Sequence, residues 1–446
     1  MTMKERKCDR IVRLVASLCI LLWELMLTKP MIISANGSAD LDLYAASAVL
    51  IDAESGRVLY EKDADLPMAN ASTTKIMTCI TVLEYCDLSE TLKISSYAAS
   101  QPQVKLGMRK GEEYLVKDLL YSMMLESHND SACALAEHVG KTFVRSMIER
   151  SEESFTREES MRCLKAFCAK MNEKAKQIGC EDTYFITPNG LDATESNERP
   201  DGTIETREHH TTAKDLAKMM AYCMQTSPET KTFREITGTG EYHFKSGQRT
   251  FLCQNHNRFL EMMQGAVSGK TGFTGKAGYC YVAALERDDK HLIAVLLACG
   301  WPGHREYKWA DTKKLMQYGL DKYHRAQWNE VLISDDKLPA LPVSNGATSR
   351  ISDIPILKLF IDKSERNHIS KGILLTQDEE IDAKISLQSN IVAPIEKGDQ
   401  VGEVSYLVGG NTILQEKILA GNTIPQCTLK YCIKAIWECF LKGFVN

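Results

Sequence analysis

GAVSGKTGF (265–273), AGYCYVAALE (277–286) and KHLIAVLLACG (290–300) decide the fold. Each is a short apolar run punctuated by Gly or charge, so the three read as successive strands. The other strand signal lies far upstream. AASAVLIDAESGRVLYE (45–61) alternates apolar and polar residues around Ser55-Gly56 and reads as a β-hairpin. Between them the texture is helical. Residues 72–87 place Ile76, Cys79, Ile80 and Leu83 on one face, and two further helices read at 113–125 and 131–139. The break between those two is Ser127-His128-Asn129-Asp130. Residues 141–185 read as helical with a charged middle, residues 192–208 (DATESNERPDGTIETRE) as a polar loop, and 307–325 as a later helix. Strands flanking a helical middle predict an α/β layer whose sheet is completed by both ends of the domain.

Downstream, SDDKLPALPVSNGATS (334–349) is rich in Pro, Ser and Asp, as linkers are, and residues 350–424 carry short β-rich runs with Gly turns. The expected organisation is an export signal at 1–39, a catalytic domain at 40–328, a linker at 329–349, a small all-β domain at 350–424 and a terminal helix at 425–446. The signal is read from basic Lys4, Arg6, Lys7, Arg10 and Arg13, the apolar segment Leu14 to Leu27, and small residues at 34–39. Residues from 40 onward are then expected outside the cytoplasm. A chain of 446 residues, 44% hydrophobic with net charge -5, has ample core and no global field for nucleic acid. Its 15 cysteines show no repeating framework and many sit in apolar runs, so they read as small buried hydrophobes.

Three short motifs carry chemistry. In Ser72-Thr73-Thr74-Lys75, a helix start puts hydroxyl and amine on one face. A lysine can take the serine proton only when neutral, which requires burial or a nearby cation. A second S-x-x-K, Ser334 to Lys337, lies in the polar linker. In Ser127-His128-Asn129 the hydroxyl could pass a proton and the amide could hold a carbonyl, although Ser and Asn also cap helices. In Lys270-Thr271-Gly272 the lysine and hydroxyl suit a carboxylate, and Gly272 lets a substrate approach the strand. Lys245-Ser246-Gly247 is a similar triplet. Taken singly, each motif is better read as a cap or a turn; their order is what carries weight. His209, His210 and Asp215 form no recognised metal motif, and no G-x-x-x-x-G-K-[ST] phosphate loop is present.

The ordered set resembles the penicillin-binding serine peptidases and serine β-lactamases. ASTTKIMT (71–78), SHNDSACALAE (127–137), PNGL (188–191), HTTAKDLA (210–217), NHNRFL (255–260) and GKTGFTGKAGYCYVAA (269–284) resemble the low-molecular-weight D-alanyl-D-alanine carboxypeptidases. The resemblance implies a β-lactamase/D,D-peptidase-like α/β sheet flanked by helices, with a C-terminal all-β domain and a terminal amphipathic helix. It implies a secreted enzyme that removes the terminal D-alanine from peptidoglycan pentapeptides and is acylated by β-lactams. Ser72 is then the nucleophile and Lys75 its proton acceptor. Ser127 and Asn129 assist proton transfer and substrate binding. Lys270 and Thr271 bind the terminal carboxylate beside Gly272, and the backbone N–H groups of Ser72 and Phe273 form the oxyanion hole. No metal or organic cofactor is implied. His128 departs from the glycine common at the middle of S-x-N, and the 141–168 and 192–208 stretches look longer than usual. The alternatives are a serine β-lactamase, for which residues 130–269 lack the E-x-x-x-N pattern, and a wall-binding protein with a dead site.

The last segment, 427–445, sets Leu429, Cys432, Ile433, Ile436, Trp437, Phe440 and Phe444 on one helical face and Lys430, Lys434, Glu438 and Lys442 on the other. It is too short and charged to span a bilayer. A broad aromatic face beside lysines suits an anionic membrane surface, so the enzyme is expected to be peripheral to the outer face of the membrane.

Overall fold

The computed structural model describes residues 41–443 except 148, 199–201, 349–352 and 365–371. The export segment expected at 1–39 therefore lies outside the described residues. The chain forms two units, divided between Tyr323 and His324.

In the first unit, strands β1 (Ser47–Asp52) and β2 (Val58–Lys62) make the expected hairpin. The late strands are β5 (Ala266–Thr274), β6 (Gly278–Arg287) and β7 (Lys290–Leu297). They join the hairpin in one sheet of order β2-β1-β7-β6-β5. β1 runs antiparallel to β7, from Ser47 opposite Leu297 to Asp52 opposite Leu292. The two ends of the unit thus share the sheet centre, and β5 is its edge.

Helices cover this sheet. α1 (Lys75–Tyr85) buries every residue from Lys75 to Leu83, not just the single face expected. A helix apolar nearly all round belongs in an interior, and this one packs within the main core. Around it lie α2 (Val116–Leu125), α3 (Asn129–Thr142) and α4 (Arg157–Ile178). α4 starts later than expected. Two 3-10 turns, at Arg145–Met147 and Glu152–Ser154, come first, and a capping box between Thr156 and Glu159 fixes the helix start.

Residues 192–208 hold more order than a polar loop. β3 (Thr194–Glu198) and β4 (Ile204–Glu208) pair as a hairpin, Thr194 opposite Glu208 and Glu198 opposite Ile204.

The second unit is built on an antiparallel sheet of order β8-β11-β10-β9: Leu359–Ile361, Asn411–Ala420, Gln400–Val408 and Ile381–Leu387. Val404, Tyr406, Ile418 and Ala420 form its core. The segment expected as a linker contributes to this core: Val343 is buried in it, as is Trp328 just upstream. The strand His324–Gln327, expected within the catalytic domain, pairs here with Gly372–Leu375. Pro and Ser in these stretches mark turns between short packed strands, not a free tether. The chain's last described element is α6 (Leu429–Gly443), with α5 (Tyr307–Lys322) closing the first unit. No described helix is long and apolar enough to cross a membrane.

Candidate active site

Four segments meet at the edge of the first unit's sheet. The 3-10 turn Ala71–Thr74 runs directly into α1, so Ser72 and Lys75 lie one turn apart. Ala71 takes a left-handed backbone, φ 48°, which costs a non-glycine residue energy and is met at functional turns. Ser127, in the α2–α3 connection, has φ 65° and shares that strain.

Lys75 Nζ lies 2.7 Å from Ser72 Oγ, 2.9 Å from Asn129 Oδ1 and 2.8 Å from the Asn189 carbonyl. The side chain is fully buried. Burial first, and the Lys270 charge second, lower its pKa well below that of an ordinary lysine. A neutral amine here has two protons for the Asn129 and Asn189 oxygens. Its lone pair then faces the Ser72 hydroxyl, the arrangement a general base requires.

Asn129 is committed within the protein. Besides accepting from Lys75, its Nδ2 donates to the Pro102 and Gln103 carbonyls, each at 3.2 Å. The Asn129 amide thus braces the lysine. Lys270 Nζ donates to Ser127 Oγ at 2.9 Å and to the Thr271 carbonyl at 2.8 Å. Burial lowers the Lys270 pKa to about 7.

β5 presses against the Ser72 turn. A Cβ built on Gly272 would come within 2.9 Å of Ser72 N and 3.1 Å of Asn70 O, so only glycine fits. Phe273 follows, 42% exposed, its ring 4.7 Å from that of Tyr279. From the other side the Asn189-Gly190 turn closes in. Gly190 has φ 80°, and a Cβ there would lie 2.0 Å from the Ala71 carbonyl oxygen.

Sequence reasoning missed two contributors. Asn189 acts through its backbone carbonyl, which has no side-chain signature. His209 sits beneath the Ser72 turn. Its Nδ1 accepts from the backbone N–H of Ile186 (3.1 Å) and of Thr187 (3.3 Å). The proton is therefore on Nε2, which donates to Thr74 Oγ1 at 2.9 Å. Burial pushes its pKa down to about 3, so the ring is a neutral strut. Asp215 is occupied elsewhere, accepting from Asp182 N and Thr183 Oγ1, both at 2.9 Å.

The two decoy motifs have other surroundings. Ser334 and Lys337 are exposed on the second unit, flanking and ending a 3-10 turn. Ser246 Oγ, in the second K-T-G-like triplet, donates to the Glu113 carbonyl.

A buried S-x-x-K amine, an S-x-N brace and a K-T-G edge strand around one serine match a known pattern. The D-alanyl-D-alanine carboxypeptidase family model covers residues 34–156 and 162–299, more than half of the chain. The chain belongs to the D-alanyl-D-alanine carboxypeptidase family. It is a serine D-Ala-D-Ala carboxypeptidase of the penicillin-binding group. The penicillin-binding protein 5 C-terminal domain matches residues 373–426.

Among relatives, D-alanyl-D-alanine carboxypeptidase DacF of Bacillus subtilis is 29% identical over 385 residues, 84% of this chain and 85% of its own. DacA of Escherichia coli is 27% identical over 398 residues, 86% and 84% of the two chains. Penicillin-binding protein 5 of Haemophilus influenzae shares the fold: TM-score 0.63 at 23% identity, covering 86% of this chain and 98% of that one. A Streptomyces K15 DD-transpeptidase structure gives TM-score 0.51 at 29% identity, over 62% of this chain and 98% of that one.

Proposed function

We propose that Ser72 is the acylated nucleophile and Lys75 its base in this carboxypeptidase. The carrying observation is the buried Lys75 amine, 2.7 Å from Ser72 Oγ with its two other contacts on oxygen acceptors. The Ser72 proton moves to Lys75 as Oγ attacks the carbonyl between the last two D-alanines. The backbone N–H groups of Ser72 and Phe273 receive the oxyanion. Lys75 then returns the proton, with Ser127 as relay, to the amine of the departing D-alanine. Water enters the ester by the same base, and hydrolysis frees the enzyme. Asn129 holds Lys75 in place. Lys270 and Thr271 take the substrate's terminal carboxylate, a charge that favours protonated Lys270. β-Lactams acylate the same serine.

The substrate is the D-Ala-D-Ala end of peptidoglycan stem peptides, so the enzyme works outside the cytoplasm after export by its N-terminal segment. α6 lays it on the membrane surface. Supporting this, Leu429, Ile433, Ile436, Trp437 and Phe440 are all exposed rather than packed into the β-domain core. Lys430 and Lys434 are exposed as well, with the charge that anionic head groups attract.

Mass spectrometry tests the chemistry. Ser72→Ala should carry no penicillin adduct and release no D-alanine from a D-Ala-D-Ala pentapeptide. An adduct persisting in that variant, on Ser334 for instance, would sink the assignment.

A further inference from the structure

On the first unit, three residues distant from Ser72 bring sulfur, nitrogen and oxygen together. Cys86 follows the last residue of α1, Glu90 precedes the strand Thr91–Lys93, and His138 lies on α3. One donor atom from each falls within 4.8 Å of the others, and His138 Nε2 is 3.1 Å from Glu90 Oε2. The Cys86 thiol donates to the Asp87 carbonyl at 3.7 Å. His138 is buried, while Cys86 is half-buried and Glu90 exposed, so the cluster opens to solvent.

The imidazole is held from behind. Buried Glu152 Oε1 lies 2.7 Å from His138 Nδ1, and the same oxygen accepts from Lys141 Nζ at 2.5 Å. Glu152 orients the ring through Nδ1, while Nε2 donates to Glu90 Oε2, and an ion bound at Nε2 takes the place of that proton. This support, a carboxylate orienting a histidine towards its ligand partners, is what metal-binding histidines receive.

We propose that Cys86, Glu90 and His138 form a three-ligand site for a borderline-soft divalent cation, best suited to Zn2+, with water as the fourth ligand. A thiolate and an imidazole beside one carboxylate suit zinc; calcium and magnesium want oxygen donors throughout. Donors about 2.0–2.3 Å from a tetrahedral ion stand roughly 3.3–3.7 Å from one another. The cluster therefore closes around an ion by rotation of the Cys86 and Glu90 side chains. On binding, the Cys86 thiol proton and the His138 Nε2 proton are released to solvent.

The site is structural, not catalytic. Tyr85, the last residue of α1 and the neighbour of Cys86, lies ten residues along the helix from Lys75, about 15 Å at the helical rise. His138 lies nine residues along α3 from Asn129, about 14 Å. The ion would tie the far ends of the two helices whose first residues hold the catalytic amine and its brace.

Co2+ titration of the full chain, stripped with chelator and kept reduced, provides the test. Cys427→Ser and Cys432→Ser are introduced first, to remove the exposed thiol just before α6 and the half-buried one on it. One equivalent of Co2+ should give a thiolate charge-transfer band and tetrahedral d–d bands, and Zn2+ should displace it. Cys86→Ser should lose the charge-transfer band and His138→Gln should bind far more weakly. Glu152→Gln should weaken binding about 10–100-fold while keeping the band. Far-UV circular dichroism confirms that each variant is folded. Absence of the band in the parent protein, or its persistence in folded Cys86→Ser, overturns the proposal.

Discussion

Two lysines with lowered pKa values serve opposite ends of the pH range. In the proposed mechanism Lys75 must be neutral to accept the Ser72 proton, so acid limits kcat/KM as it protonates. Lys270 must be charged to hold a carboxylate. Its pKa of about 7 in the free enzyme means that kcat/KM falls as pH rises through neutrality. Bound substrate supplies the counter-charge, so kcat should lack that alkaline limb. Lys270→Arg should keep activity and lose the alkaline limb of kcat/KM, because guanidinium stays protonated. Lys75→Arg should be inactive for the same reason. Equal losses in the two variants would contradict this division of roles. The Ser72–Lys75 pair was legible beforehand, since S-x-x-K places its two groups within one helical turn. What spacing could not supply was the third partner: the Asn189 carbonyl belongs to the backbone, and only a folded chain brings it across 114 residues to the amine.

Elements position these residues by contact between backbones. The edge strand β5 lies against the Ser72 turn at a point where Gly272 has no room for a methyl group. Gly272→Ala must push strand and turn apart. Because the neighbours are backbone atoms, relief comes only by shifting the proposed oxyanion site. Penicillin acylation should fall roughly 100-fold, with the thermal transition little changed. Near-wild-type acylation would mean that the strand does not set the geometry. The sheet and its central helix were readable because apolar periodicity follows burial. The β3–β4 hairpin was not, because Thr194–Glu198 and Ile204–Glu208 are polar on both faces and Ile204 points to solvent, 72% exposed. The start of α4 was misread for a related reason: the charged residues at 145–156 fit a helix as well as the short turns they form.

At the scale of the whole molecule, the exposed face of α6 makes a direct prediction. Removal of residues 428–446 should abolish co-sedimentation with anionic vesicles while leaving hydrolysis of a soluble peptide intact. Equal partition of both forms would assign the helix to some other contact. A second consequence concerns the interior. Among the described residues twelve cysteines are free and nine of them are buried. Burial pushes the Cys168, Cys253 and Cys280 thiols up to about 12, so they are inert while the fold lasts. Melting returns them to ordinary reactivity all at once, in a chain expected to live where oxidants are present. Unfolded molecules should then become trapped by scrambled crosslinks faster than they refold, and heating in air becomes a one-way process governed by a rate. Refolding yield after a heat pulse should rise sharply with added reductant. The native fold is, for this protein, its own antioxidant.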